Sequence, residues 1–199
     1  MPNLVQYGHL LRVLRYLQGT TSRCLFYDCN SPLWLHAYSD ATWASDRTVR
    51  CSIIGYCIFL GSSPIAWKSK KQADLSRSSA EAELWALATT TTEIIWLWWL
   101  LADLGVSCDT PMPLLCDSTG AIQIANDSVK HELTKHIGVD VFFTRSHCQQ
   151  KTIALQHVPS EMQVADFFTK AQTREQHRLN LFKLNASDPP LPPWVWRGC

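Results

Sequence analysis

The sequence predicts an α/β fold, a mixed sheet flanked by helices. Three observations predict it: a hairpin-rich first half, one long apolar helix near the middle, and alternating strands and helices after it. The chain has 199 residues and a mass of 22.6 kDa, enough for one domain with a substantial core. Hydrophobic residues make up 46% and charged residues 18%, a balance that excludes a disordered chain.

The elements follow in order. His9–Leu17 has helical apolar spacing and Gly19 supplies a stop. Leu33–Asp40 is a strand-like run. Gly55–Gly61 and Ser63–Lys68 read as a hairpin around Gly61-Ser62. Ser78 with Glu81 three residues on has capping-box spacing and opens a helix over 79–104. Pro111 and Pro113 precede a short strand, Leu114–Cys116. Helices are predicted at 119–126 and about 131–148, and a strand at Thr152–Val158 closed by Pro159. Ser160 with Gln163 repeats the capping-box spacing and predicts a helix to about Phe182.

Net charge is +1, but its distribution is uneven. Residues 1–80 carry nine basic and four acidic side chains, and residues 81–199 carry nine and thirteen. A basic half facing an acidic half suits a protein that grips a polyanion beside carboxylates. Eight cysteines include no CxxC pair, which favours buried free thiols over a zinc site or disulfide framework. The strongest apolar run, Ile94–Ala102, is nine residues, whereas a membrane span needs about 20. No charged-then-apolar signal pattern opens the chain. The expectation is therefore a cytoplasmic or nuclear protein, neither secreted nor membrane-bound.

Four carboxylates carry the chemistry. Asp40 follows the first core strand, Glu83 lies in the long helix, Asp117 follows the fourth strand, and Asp166 lies in the last helical stretch. Each has apolar or small neighbours, where an unpaired carboxylate is costly. No equally embedded Arg or Lys stands beside them in the sequence, so two divalent metals would supply the counter-charge. Oxygen-only ligands favour Mg²⁺ or Mn²⁺, and such a pair cleaves phosphodiesters. Any one of these acids alone is better explained as a turn residue or cap; four at successive core elements are not.

These residues resemble the ribonuclease H domain of copia-type retrotransposon polyproteins. The matching pieces are Leu14–Thr20, Tyr38–Ala44, Gly55–Gly61, Pro64–Gln72, Ser78–Leu84, Cys116-Asp117, Lys135–Ile137 and Val164–Lys170. The resemblance implies a mixed five-stranded sheet and metal-dependent cleavage of the RNA strand of RNA–DNA hybrids. It also implies catalytic and metal-binding roles for Asp40, Glu83, Asp117 and Asp166. The organisation it suggests is a helix and connector from the reverse-transcriptase side over 1–30, the ribonuclease H-like domain over 31–183, and a proline-rich tail over 184–199.

Glu81 and Glu83 lie on opposite sides of one helix. Glu83 continues the stripe through Leu87, Ile94 and Leu101, so Glu83 is the expected ligand and Glu81 the capping partner of Ser78. Trp67, Lys68, Lys70, Lys71 and Arg77 form a basic cluster suited to hybrid phosphates, or equally to protecting a sheet edge. Asp46, Arg50 and Ser52 are expected to support the first hairpin or to touch backbone. His131 and His136 lack partners for a tetrahedral metal set. The apolar run within 94–101 surrounds its helix, which suggests packing under the 131–148 helix or docking onto the reverse-transcriptase domain of the same polyprotein. The alternative to a hybrid nuclease is a catalytically silent relic or domesticated fragment, acting as a nucleic-acid or protein interaction module.

Overall fold

The computed structural model of the protein describes residues 3–46, 48–127 and 137–187. Lys135, His131, His136 and the tail from 188 onward lie outside the described residues. Helix α1 (Leu4–Gln18) begins five residues earlier than its apolar spacing indicates. Asn3 and Gln6 form a reciprocal capping box, each side chain accepting the other's backbone N–H at 2.9 Å. Gly19 is the C-cap. None of the side chains of α1 is buried.

The sheet is mixed and five-stranded. Its strands are β2 (Leu35–Thr42), β3 (Ile53–Leu60), β4 (Ser63–Lys71), β5 (Met112–Cys116) and β6 (Ile153–His157). Their spatial order is β4-β3-β2-β5-β6. β2, β3 and β4 are antiparallel neighbours, while β5 runs parallel to β2 and β6 parallel to β5. The β3–β4 turn is made at Gly61, whose φ of +58° favours glycine. A separate two-stranded pair joins β1 (Cys24–Leu25) to β7 (Ala186–Ser187).

The alternation of side chains sorts the sheet into two faces. Leu35, Ala37, Ile58 and Leu114 pack with Leu84, Leu87, Ile94 and Leu101 of helix α2 (Ser79–Asp103). Helices α3 (Thr119–Asn126) and α4 (Gly138–Gln149) cover the same core through Ala121, Ala125 and Val141. The opposite face carries a smaller cluster of Cys57, Phe59, Val164 and Leu184, with Tyr38, Phe167 and Phe168 against it.

Four successive threonines, Thr89–Thr92, sit inside α2. Each hydroxyl donates to the carbonyl four residues back, at 2.7–3.0 Å, so the two that enter the core, Thr90 and Thr91, are satisfied there. By length and composition α2 suffices to cross a membrane, but 56% of its most apolar stretch is buried inside the protein. Its buried faces meet the sheet, α3 and α4. Trp96 and Trp99 on the remaining face are 53% and 60% exposed. The guanidinium of buried Arg145 on α4 donates to the carbonyls of Ile124, Ala125 and Asp127, which ties off the end of α3.

The continuous helix expected from Ser160 to Phe182 does not form. The segment is a 3₁₀ turn (Ser160–Met162), a short helix α5 (Asp166–Thr169), and helix α6 (Arg174–Lys183). The two supposed capping residues have tertiary partners instead. The Ser160 hydroxyl donates to Asp117 Oδ2 at 2.9 Å, and the Gln163 amide donates to the Ser39 carbonyl at 2.9 Å. The box that operates here is Thr173 with Gln176, at the start of α6.

Candidate active site

Asp40 projects from β2 onto the face that carries α5. Its register partner on β3 is Gly55, and the missing side chain there lets α5 approach. The Thr169 hydroxyl donates to Asp40 Oδ2, and Lys170 Nζ lies 3.4 Å from Asp40 Oδ1. Lys170 also pairs with Asp166 Oδ1, one helical turn back. Asp117 enters from the end of β5, held by Ser160. Ligand oxygens of Asp40, Asp117 and Asp166 all lie within 4.8 Å of one another.

Glu83 arrives from the first turns of α2. The Ala41 N–H donates to its Oε1 at 3.2 Å, and the Cys116 thiol lies 3.7 Å from its Oε2. Glu83, Cys116 and Asp117 form a second triad within the same 4.8 Å limit, sharing Asp117 with the first. The four acids foreseen in the sequence thus share one end of the sheet. Glu81 points elsewhere: its carboxylate accepts the backbone N–H of Arg77 at 2.8 Å, while Ser78 Oγ accepts the Glu81 N–H. The cap is therefore made one residue away from the expected Ser78 backbone partner.

The electrostatics record the crowding. Burial, then the charges of Asp40 and Asp117, push the Glu83 carboxyl up to about 9, against the Ala41 N–H and Lys170. Burial also pushes Asp40 up to about 6, where Thr169 and Lys170 oppose Asp166 and Asp117. Burial and Glu83 drive the Cys116 thiol upward, away from the thiolate. Protonated Cys116 is a poor ligand beside three or four carboxylates. The donor set is therefore one of oxygens, which fits a hard divalent cation.

Lys170 corrects the expectation that no cation stands beside the acids. Its ammonium is opposed by burial, but the Asp166 hydrogen bond and the Asp40 charge outweigh this and raise its pKa. The sequence did carry a signal, since Lys170 stands four residues after Asp166, the spacing of helical ion pairs.

The basic cluster is split. Lys68 and Lys70 pair with Tyr56 and Ile54, on the α2 face; Trp67 and Lys71 pair with Cys57 and Ile53, on the α5 face. All lie on the edge strand β4, and Arg77 precedes α2. Lys71 Nζ bonds Asp46 Oδ2 at 2.6 Å, and Asp46 Oδ1 accepts the N–H groups of Thr48 and Val49. Ser52 Oγ accepts the Ala44 N–H. Asp46 and Ser52 thus brace the first hairpin. Among the described residues all seven cysteines are free thiols.

Known proteins bear on this geometry. The chain is 41% identical over 174 residues, 87% of its length, to the retrovirus-related Pol polyprotein from transposon RE2 of Arabidopsis thaliana. It is 34% identical over 167 residues, 84% of its length, to the corresponding polyprotein from transposon TNT 1-94 of Nicotiana tabacum. The chain belongs with the retrovirus-related Pol polyproteins of transposons. It spans 12% of the length of each of these two relatives. No family model matches the sequence. Among solved structures, LC11-RNase H1, isolated from compost, aligns over 69% of this chain and 93% of its own with a TM-score of 0.53 at 15% identity. The fold of this Pol homologue is that of ribonuclease H.

Proposed function

We propose that the chain is the ribonuclease H domain of a copia-type Pol polyprotein and cleaves the RNA strand of RNA–DNA hybrids during reverse transcription. One observation carries this reading: Asp40, Glu83, Asp117 and Asp166, from four separate elements, converge at one end of the sheet of a ribonuclease H fold. These four would hold two divalent ions, Mg²⁺ or Mn²⁺. When bound, such ions supply activation of the attacking water and neutralisation of charge on the scissile phosphate.

The chain's own groups prepare the site. Thr169 fixes one oxygen of Asp40, Ser160 fixes one oxygen of Asp117, and the Ala41 N–H orients Glu83. Gln163 anchors the turn carrying Ser160 against β2. Lys71 and Arg77 offer positive charge for backbone phosphates of the hybrid.

A labelled RNA–DNA hybrid with Mg²⁺ tests the proposal. The wild-type chain should cut only the RNA strand, and Asp40→Asn should abolish cutting while retaining the fold. Cleavage that survives Asp40→Asn overturns the site. A folded wild-type chain with no cleavage under these conditions supports the silent interaction module.

The reverse-transcriptase domain of the same polyprotein is the proposed partner. In support, α1 buries no side chain, so Leu10, Val13, Leu14 and Leu17 all stand at least half-exposed. The relatives contain much additional chain to cover such a stripe.

A further inference from the structure

The carboxylates of Asp40, Asp117 and Asp166 approach one another more closely than unscreened like charges tolerate. Lys170 answers part of that repulsion. It is the C-cap of α5, where the backbone leaves the helix at φ −121° and ψ 143°. That turn sends its side chain back over the acids. Its ammonium pairs with Asp40 Oδ1 and Asp166 Oδ1, two members of the three-carboxylate cluster. A divalent ion held by the same oxygens would sit within a few ångströms of the ammonium. Two cations at that separation repel strongly, so they exclude one another.

The structure also provides somewhere for the lysine to go. A cavity of about 320 Å³ adjoins the site and is lined by Lys170 itself, Asp166, Glu161, Gln172, Gln176 and Asn180. Its wall offers the Glu161 carboxylate as a new partner. The Gln172 and Gln176 amide oxygens already accept from Asn180 and Thr173, and Lys183, which also lines the cavity, is held on the Glu161 backbone carbonyl. The Lys170 side chain is 39% exposed and itself lines the cavity, so its outer part has open space to turn into.

We propose that Lys170 is a resident counter-ion of the carboxylate site, offsetting part of the charge of Asp40 and Asp166 in the metal-free protein and withdrawing into the adjoining cavity when a divalent ion enters. The proposal rests on the metal-dependent reading above and names a regulator of that site. Metal affinity is then set by competition with a tethered cation as well as by the carboxylates. Lys170 is a positioning residue: it keeps the acids assembled before the metal arrives.

Calorimetric titration of Mg²⁺ into the full chain, without nucleic acid, tests this. Lys170→Met should bind Mg²⁺ about fivefold more tightly or better, the lower end of typical coupling between linked sites. Its metal-free melting temperature should fall. Lys170→Arg retains the charge and should bind closer to wild type than to the methionine variant. Mg²⁺ affinity unchanged or weakened in Lys170→Met overturns the proposal, as does an arginine variant that binds as tightly as methionine. Asp40→Asn separates the two levels of the argument. If Asp40→Asn keeps the wild-type Mg²⁺ response, the metal site itself is wrong. If Asp40→Asn loses the response while Lys170→Met matches wild type, only the counter-ion fails.

Discussion

Gly55 and Thr169 leave no room for a side chain between them. A β-carbon on Gly55 would lie 2.7 Å from Thr169 Cγ2 and 2.8 Å from Phe168 Cβ. Because Gly55 is also the register partner of Asp40, this close approach seats α5 against the strand that carries Asp40. Gly55→Ala should push α5 outward and cost about 1–3 kcal/mol, the range for overpacking a filled interior. Urea denaturation measures the cost. Mg²⁺ binding should weaken with it, since Asp166 moves with α5. An alanine variant of wild-type stability would mean that α5 is not seated this way.

Glu83 and Asp40 make stability depend on pH in a defined direction. Their folded values, about 9 and about 6, lie above the ordinary 4.5 of a Glu and 3.8 of an Asp carboxyl. The folded protein therefore holds these protons more tightly than the unfolded chain does. Their contribution is complete below the unperturbed values and is lost as pH rises, through about 6 for Asp40 and about 9 for Glu83. Melting temperatures in chelator should fall across that window, and Mg²⁺ should offset the fall by favouring the ionised acids. Glu83→Gln removes one titration and should flatten the upper part of the profile. An unchanged profile would show that Glu83 is already ionised at neutral pH.

The salt dependence of hybrid binding should separate the basic residues. Lys71, at the end of β4, and Arg77, just before α2, lie toward the carboxylate end of the sheet; Lys68 lies farther back along the edge strand. Lys71→Gln and Arg77→Gln should each lower the slope of log affinity against log salt by about 0.9, the value for one lost phosphate contact. Lys68→Gln should change it less. Fluorescence anisotropy of a labelled hybrid over a salt series gives the slopes, and equal effects at all three positions would contradict this placement.

Replacing Leu10 and Leu14 by Glu should alter the stability of this chain by no more than about 0.5 kcal/mol, as expected for surface positions. The same double variant should lose association with the reverse-transcriptase region supplied as a separate chain. Gel filtration of the mixture reads the second effect. A large loss of stability would show that α1 packs against the domain.

Much of this was legible in the residues because burial leaves a pattern. Strands β2, β3 and β4 appear as apolar runs, and α2 opens at Ser78 as its spacing indicates. Asp40 and Glu83 stood out as charges in apolar company, and both are almost fully buried. The stretch after Pro159 misled because Ser160 and Gln163 have helix-capping spacing but spend their side chains on Asp117 and Ser39, far away in sequence. Local spacing cannot reveal a tertiary competitor. Lys170 carries no local mark of its pairing with Asp40, 130 residues away in sequence, and the split of the basic cluster follows from the two-residue period of β4, which was there to be read. Strands β1 and β7 have two residues each, too few for any periodic signature.

That short pair has a mechanical consequence. Cys24 lies opposite Ser187 and Leu25 opposite Ala186, and Asn185 adds hydrogen bonds to both backbone groups of Phe26. Polypeptide arriving at residue 24 and departing from residue 187 therefore runs side by side at one end of the clasp. Tension applied through the two flanks would peel it open one rung at a time rather than shear it. The clasp would yield before any pull reached the strand bearing Asp40, shielding the carboxylates from forces transmitted along a longer chain.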